Sequence, residues 1–127
     1  MGLLRQWVER EAPELSTRVL TDTISNVNSG QPPEILGFIP DLFVEDDLQG
    51  VTIIGEAKTS EDFKRPRTRH QLQAFASFLG YKKNGVLLLS LEFSEFQSGR
   101  VMIRSILRES GKLDTNYNVI TPLDFVL

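Results

Sequence analysis

The stretch ILGFIPDLFVEDDLQGVTIIGEAK, residues 35–58, decides how the chain is read. It consists of two apolar runs rich in Val, Ile and Phe, separated by the polar DLQG of residues 47–50. Runs of that kind on either side of a turn signal read as paired strands. The first spans 35–46 and is interrupted by Pro40; the second spans 51–58. With Leu48-Gln49 as a two-residue hairpin loop, the numbers of facing residues sum to 97, so Asp41 faces Glu56. Directly opposed residues of an antiparallel pair have Cβ atoms about 4.5–5.5 Å apart and point to one side. Lys58, two residues beyond Glu56, projects from the same face. Two carboxylates at that separation repel unless positive charge lies between them. A divalent cation meets the need, and hard oxygen ligands with few protein contacts suit Mg²⁺, which keeps waters and takes further contacts from substrate phosphate. Lys58 would then stand beside a cation-activated water, to orient it or to stabilise a pentavalent phosphate. The plain alternative is a pair of solvated carboxylates, with Lys58 in a surface ion pair worth under about 1 kcal/mol. Gly55 before Glu56 and Ala57 after it leave an uncrowded polar end to the apolar VTII.

Working outward, Leu3, Leu4, Trp7 and Val8 fall at helical spacing over residues 2–11. Pro13 ends or kinks that helix and suits the first turn of a second helical piece through Leu15, Val19 and Leu20. Residues 25–34 (SNVNSGQPPE) are a turn-rich connection, and 59–67 a polar loop. Residues 68–81 place Leu72, Phe75, Ala76 and Leu79 on one helical stripe, with Thr68 as N-cap and Gly80 as the stop. GVLLLSL, residues 85–91, is almost continuously apolar, as in a strand covered on both faces. RVMIRSIL, residues 100–107, is expected to be a further strand, and 117–120 a short edge strand. Trp7, Phe75 and Phe78 read as core. The whole predicts one α/β domain over residues 1–127, with a mixed central sheet flanked by helices.

A chain of 127 residues holds one domain with a real core and is too short for two. The absence of cysteine excludes disulfides, thiolate metal sites and cysteine nucleophiles, and suits a reducing, cytoplasmic setting. With a single histidine, His70, a Ser-His-Asp triad or a histidine metal site is all but excluded. No apolar run is long enough to cross a bilayer, and no signal peptide is visible, so no membrane partner is expected. The formal net charge of −3 argues at first against a polyanionic partner, yet the charge is polarised. Residues 1–57 carry a balance of −7, residues 58–83 of +5 and residues 84–127 of −1. A local basic segment can hold phosphates on an acidic chain, although a charge run by itself is more often a solvated loop and helix face.

Pro40-Asp41, fourteen intervening residues and Glu56-Ala57-Lys58 together resemble the signature of the PD-(D/E)XK nuclease superfamily, which includes restriction endonucleases, Holliday-junction resolvases and phage-type exonucleases. IPDLFV looks like its strand bearing the acidic ligand, and VTIIGEAK like its strand bearing the acid and lysine. Gln71 followed by Phe75 is similar to the glutamine-plus-aromatic spacing of exonuclease-like members, with Phe where Tyr is more usual. The likeness spans roughly residues 36–91. It implies a restriction endonuclease-like αβββαβ core. It also implies Asp41, Glu56 and the Ala57 carbonyl as metal ligands, Lys58 as the group assisting the nucleophilic water, and Gln71 in support. Members often carry a further acid on the first helix; Glu9, Glu11 and Glu14 are the candidates, with Glu14 preferred. Lys64, Arg65, Arg67, Arg69 and His70 would lie along the phosphate backbone.

The expected function is therefore Mg²⁺-dependent hydrolysis of nucleic-acid phosphodiesters, DNA first, with Mn²⁺ as a possible substitute and a homodimer as the expected assembly. Two other readings stand beside it: a nuclease-like domain that binds or scaffolds DNA without cutting, and an interaction protein in which the motif is chance. Endonuclease or exonuclease action, and branched or linear substrate, stay open. The short chain leaves little room for sequence-recognition loops, which favours structure-selective or non-specific cleavage.

Overall fold

In the computed structural model, residues 2–22, 30–112 and 114–126 are described. Helix α1 (Gly2–Glu11) seats Leu4 and Val8, one turn apart, in the core, and Pro13 opens a 3₁₀ turn over Pro13–Arg18. Strands β1 (Leu20–Thr21), β2 (Leu42–Asp46), β3 (Val51–Ala57), β4 (Asn84–Ser90) and β5 (Asn116–Ile120) form one sheet in the order β1-β2-β3-β4-β5. The first three strands are antiparallel neighbours, and β3, β4 and β5 run parallel. Parallel neighbours need a crossover. The first carries the short helix α2 (Ser60–Phe63) and α3 (Pro66–Leu79); the second carries α4 (Phe96–Ser110).

Strand alternation divides the core between the two faces of the sheet. Leu42, Val44, Ile53, Leu88 and Ile120 pack against Leu4, Val8, Leu15 and Val19 of the N-terminal segment. Phe43, Ile54, Leu87, Leu89 and Val119 pack against Leu72, Phe75, Leu79, Ile103, Ile106 and Leu107 of α3 and α4. The α/β class with a mixed sheet is thus as expected. The hairpin register is too: Leu42 pairs with Gly55, the 97 sum read from the sequence. Its loop has four residues, 47–50, and not two; the Asp46 carboxylate accepts the N–H groups of Leu48 and Gln49 at 3.0 and 3.3 Å, and Gly50 takes φ +66°.

Several expectations are corrected. Residues 100–107 lie inside α4, where Gly99, Ile103, Ile106 and Leu107 form the buried stripe and Gly111 closes the helix at φ +71°. The eight-residue window was too short to separate a helical period from a strand. Residues 35–38 form a tight turn and not extended chain, with Ile35 bridged to Phe38. Leu20 belongs to a strand and not to the second helical piece. The 59–67 loop contains α2, and α3 starts at Pro66 with Arg65 as N-cap. Thr68 is buried within that helix, its hydroxyl donating to the Asp62 carbonyl at 2.6 Å. The connection expected over 25–34 lies, for residues 25–29, outside the described residues. No helix among the described residues is long and apolar enough to cross a membrane.

Candidate active site

The hairpin register carries Asp41, just before β2, opposite Glu56, near the end of β3. The two carboxylates are interlocked with the backbone. The Asp41 N–H donates to Glu56 Oε1 at 2.9 Å, and the Ala57 N–H donates to Asp41 Oδ2 at 2.8 Å. Each acid thereby accepts the donor that the end of the opposite strand would otherwise leave unpaired. Lys58 Nζ lies 3.4 Å from Glu56 Oε2, with the lysine side chain 15% and the glutamate side chain 3% exposed. Gly55 faces the other way, with Leu4 so close that a Cβ there would stand 3.0 Å from its methyl group. Glu56 therefore points to the α3 side.

Burial sets the electrostatics. It pushes Glu56 up to about 7, the Asp41 charge adds to the rise, and Lys58 offsets only part of it. Asp41 is raised too, chiefly by burial, against the lowering effect of the Ala57 N–H and Lys58. Lys58 thus supplies less counter-charge than the two acids need in the folded chain.

These groups line an open cleft of about 380 Å³, shared with Asp22, Glu34, Arg67 and Gln71. Asp22 follows from pairing: Leu20 faces Phe43 and Thr21 faces Leu42, so the next rung sets Asp22 beside Asp41, and the Asp22 N–H donates to the Asp41 carbonyl at 3.1 Å. Three acids, Asp22, Asp41 and Glu56, thus occupy one rung across β1, β2 and β3. Gln71, on α3, is 7% exposed, and its Oε1 has no hydrogen-bond partner. A buried acceptor left open costs roughly 1–3 kcal/mol, and the residue that carries it is among those lining the cleft.

The remaining basic residues part company. Lys64 pairs with Glu95 at 3.5 Å, Arg65 with Glu61 at 3.1 Å and Asp62 at 3.6 Å, and Arg69 with Glu109 at 2.9 Å. His70 is exposed on α3. Arg67 differs: it lines the cleft, its guanidinium 5.0 Å from the centre of the Phe38 ring. Glu14 is exposed on the 3₁₀ turn, Glu9 and Glu11 are exposed on α1, and none of the three lines the cleft. Asp22 and Glu34 were not singled out in the sequence. Asp22 is reached only through the two-residue strand β1, whose brevity leaves no periodicity to read.

As a cation site, the donor set is of the right chemistry but small. Asp41 Oδ2 and Glu56 Oε1 accept backbone N–H groups and Glu56 Oε2 pairs with Lys58, while Asp41 Oδ1 and the open Gln71 Oε1 remain as hard oxygens. The Ala57 peptide turns its edge towards β2, since its N–H reaches Asp41. No cluster of three or more acidic or histidine side chains placed to hold a metal ion occurs among the described residues. No family model matches the chain, and neither a curated protein nor a solved structure is significantly similar to it.

Proposed function

We propose that the cleft is the active centre of a Mg²⁺-dependent phosphodiesterase acting on nucleic acid, DNA first, as in the PD-(D/E)XK superfamily. The observation that carries this reading is the rung itself: half-buried Asp41 beside buried Glu56, with Lys58 3.4 Å from Glu56 in the lining of an open cleft. The element order α1-β1-β2-β3-α2-α3-β4-α4-β5, in a mixed sheet, is compatible with the αβββαβ core that the resemblance implies. Asp41 and Glu56, with the Ala57 carbonyl, would hold Mg²⁺ or Mn²⁺, which supplies a Lewis acid beside the phosphate and eases deprotonation of water. Lys58, rigid and mostly buried, orients the attacking water and answers charge growing on the phosphorus oxygens. Gln71 Oε1 accepts a hydrogen bond from a water in the cleft. Arg67 holds a non-bridging phosphate oxygen, being the one arginine of residues 64–70 that lines the cleft. Inversion at phosphorus then expels the 3′ oxygen. A pair of chains would offer two such clefts to two strands, and a cysteine-free chain suits the cytoplasm.

A cleavage panel of linear, nicked, single-stranded and four-way DNA tests the reading, with Mg²⁺, Mn²⁺ and EDTA arms. The parent cuts at least one member with either ion and none in EDTA, and D41N, E56Q and K58A are inactive while folded. Cutting by all three variants at the parent rate would remove the site. The second reading, a silent nucleic-acid-binding relative, is favoured by the ion pairs that occupy Lys64, Arg65 and Arg69 and by the two-acid donor set. Titration calorimetry separates the two. Silence predicts no Mg²⁺ binding that D41N abolishes.

A further inference from the structure

The turn at residues 35–38 has a feature that the fold does not explain. Its two central residues, Leu36 and Gly37, have φ +51° and +93°. A two-residue hairpin turn with both φ values positive is the kind that Asn-Gly fills. Leu36 is the one non-glycine residue with positive φ among the described residues. A γ-branched side chain is disfavoured there, and this one gains nothing from the core, being 67% exposed. Strain of this kind at the rim of a cleft is a pointer to function.

The base of the turn is firmly held. Ile35 and Phe38 exchange backbone hydrogen bonds of 2.7 and 3.1 Å, and Ile35 is buried. Phe38 meets Phe75 edge to face with centroids 6.4 Å apart and carries Arg67 on its ring. The apolar tip is therefore presented on a rigid support. Gly37 and Ile39 line the cleft of Asp41 and Glu56; Ile39 is 41% exposed, and Leu36 stands next to Gly37 at the tip of the turn, so the two exposed apolar side chains form a ridge beside the cleft.

We propose that this ridge, Leu36 with Ile39, is a base-contacting wedge, and that the substrate is a DNA strand whose bases are unpaired at the cut. The proposal rests on the phosphodiesterase reading and names its substrate class. With a phosphate at Arg67 and Lys58, the base next to it falls on the ridge. The wedge offers no side-chain hydrogen-bond donor or acceptor, so it meets the face of any base and reads no sequence. Leu and Ile are among the side chains that insert between base steps. In an intact duplex those faces are stacked on neighbouring pairs, and a short turn beside a cleft of this size reaches them only where pairing is lost.

The test uses the full chain with Ca²⁺ in place of Mg²⁺ and a single strand carrying 2-aminopurine, whose fluorescence rises when it is unstacked. Binding to the parent changes that fluorescence. L36N, in which Asn suits the backbone conformation, loses most of the change and binds roughly tenfold more weakly, whereas L36M keeps both. L36N also unfolds at or above the parent temperature; a lower one would assign Leu36 to the fold and overturn the proposal. With Mg²⁺, the parent cuts single strands and frayed ends roughly tenfold faster than blunt, fully paired duplex, and L36N loses that preference. Both cleave bis(4-nitrophenyl) phosphate, a diester without a base, at the same rate. Equal fluorescence changes in parent and L36N overturn the wedge and leave the phosphodiesterase reading intact if the small diester is cut. Failure to cut the diester or any DNA sinks that reading, and the fluorescence comparison still decides the base contact. No fluorescence change with the parent overturns it.

Discussion

Glu56 is held by contradictory demands, and most of what can be measured on single residues follows from them. Its folded form holds a proton up to about pH 7, against an ordinary value of 4.5, because burial and Asp41 outweigh Lys58. In the window between those values the folded chain binds more protons than the unfolded one, so stability must fall as pH rises through it. The full cost above pH 7 is roughly 3 kcal/mol. Chemical denaturation in EDTA from pH 5 to pH 8 should show this decline. E56Q, which keeps an oxygen for the Asp41 N–H, should flatten it and be the more stable protein at pH 8. A divalent cation should restore the parent most at the alkaline end, where the carboxylate is charged. Asp41 behaves differently, because its Oδ2 takes the Ala57 N–H. D41A leaves that donor empty and should cost about 1–3 kcal/mol, while D41N, which supplies an amide oxygen, should unfold close to the parent. The Asp41–Glu56–Lys58 constellation was legible from turn position and strand alternation alone, since both are matters of counting. The open Oε1 of Gln71, the pairing of Arg69 with Glu109 and the arrival of Asp22 were not, because each depends on elements distant in the chain.

At the scale of elements, the site stands where three antiparallel strands end beside a crossover helix, and Gly55 is the hinge of that arrangement. Its missing side chain lets Leu4 of α1 close on β3 one residue before Glu56. The sequence suggested an uncrowded polar end; the structure shows the space is taken up on the opposite face, by a helix. G55V should push α1 off the sheet at the cost of about 1–3 kcal/mol, read in urea unfolding, and should lower activity by disturbing the Asp41–Glu56 lock. The strands of the hairpin and β4 were legible because their apolar runs are bounded by turns, and α1 and α3 because their apolar residues recur three and four positions apart. Helix α4 was not, since residues 100–107 hold only Ile103, Ile106 and Leu107 of its buried stripe, and Val101 and Met102 beside them read as part of one apolar run. Its true period appears only when Gly99 and Gly111 are included as close-packing and stop signals. I103A in α4 should cost roughly 2–5 kcal/mol, the value for a buried aliphatic and well above that for an exposed strand position.

For the molecule as a whole, the charge arithmetic acquires a mechanism. Asp22, Glu34, Asp41 and Glu56 line the cleft against Lys58 and Arg67, so without added cations it repels a phosphodiester. The +5 segment is spent largely on internal pairs, and Arg67 is the arginine it delivers to the cleft. DNA affinity should therefore rise when a divalent ion is added at constant ionic strength, as fluorescence anisotropy with Ca²⁺ can show. A simple basic patch would lose affinity, because the ion competes for the phosphates. The claim that everything else depends on is that Asp41, Glu56 and Lys58 act together on a phosphodiester. The most direct measurement is the initial rate of single-stranded DNA hydrolysis in Mg²⁺ by the parent and by K58A, with matched unfolding curves. The parent should cleave in Mg²⁺ and not in EDTA, and K58A should be slower by roughly 100-fold or more. Equal rates for the two proteins, or cleavage indifferent to EDTA, would contradict that claim.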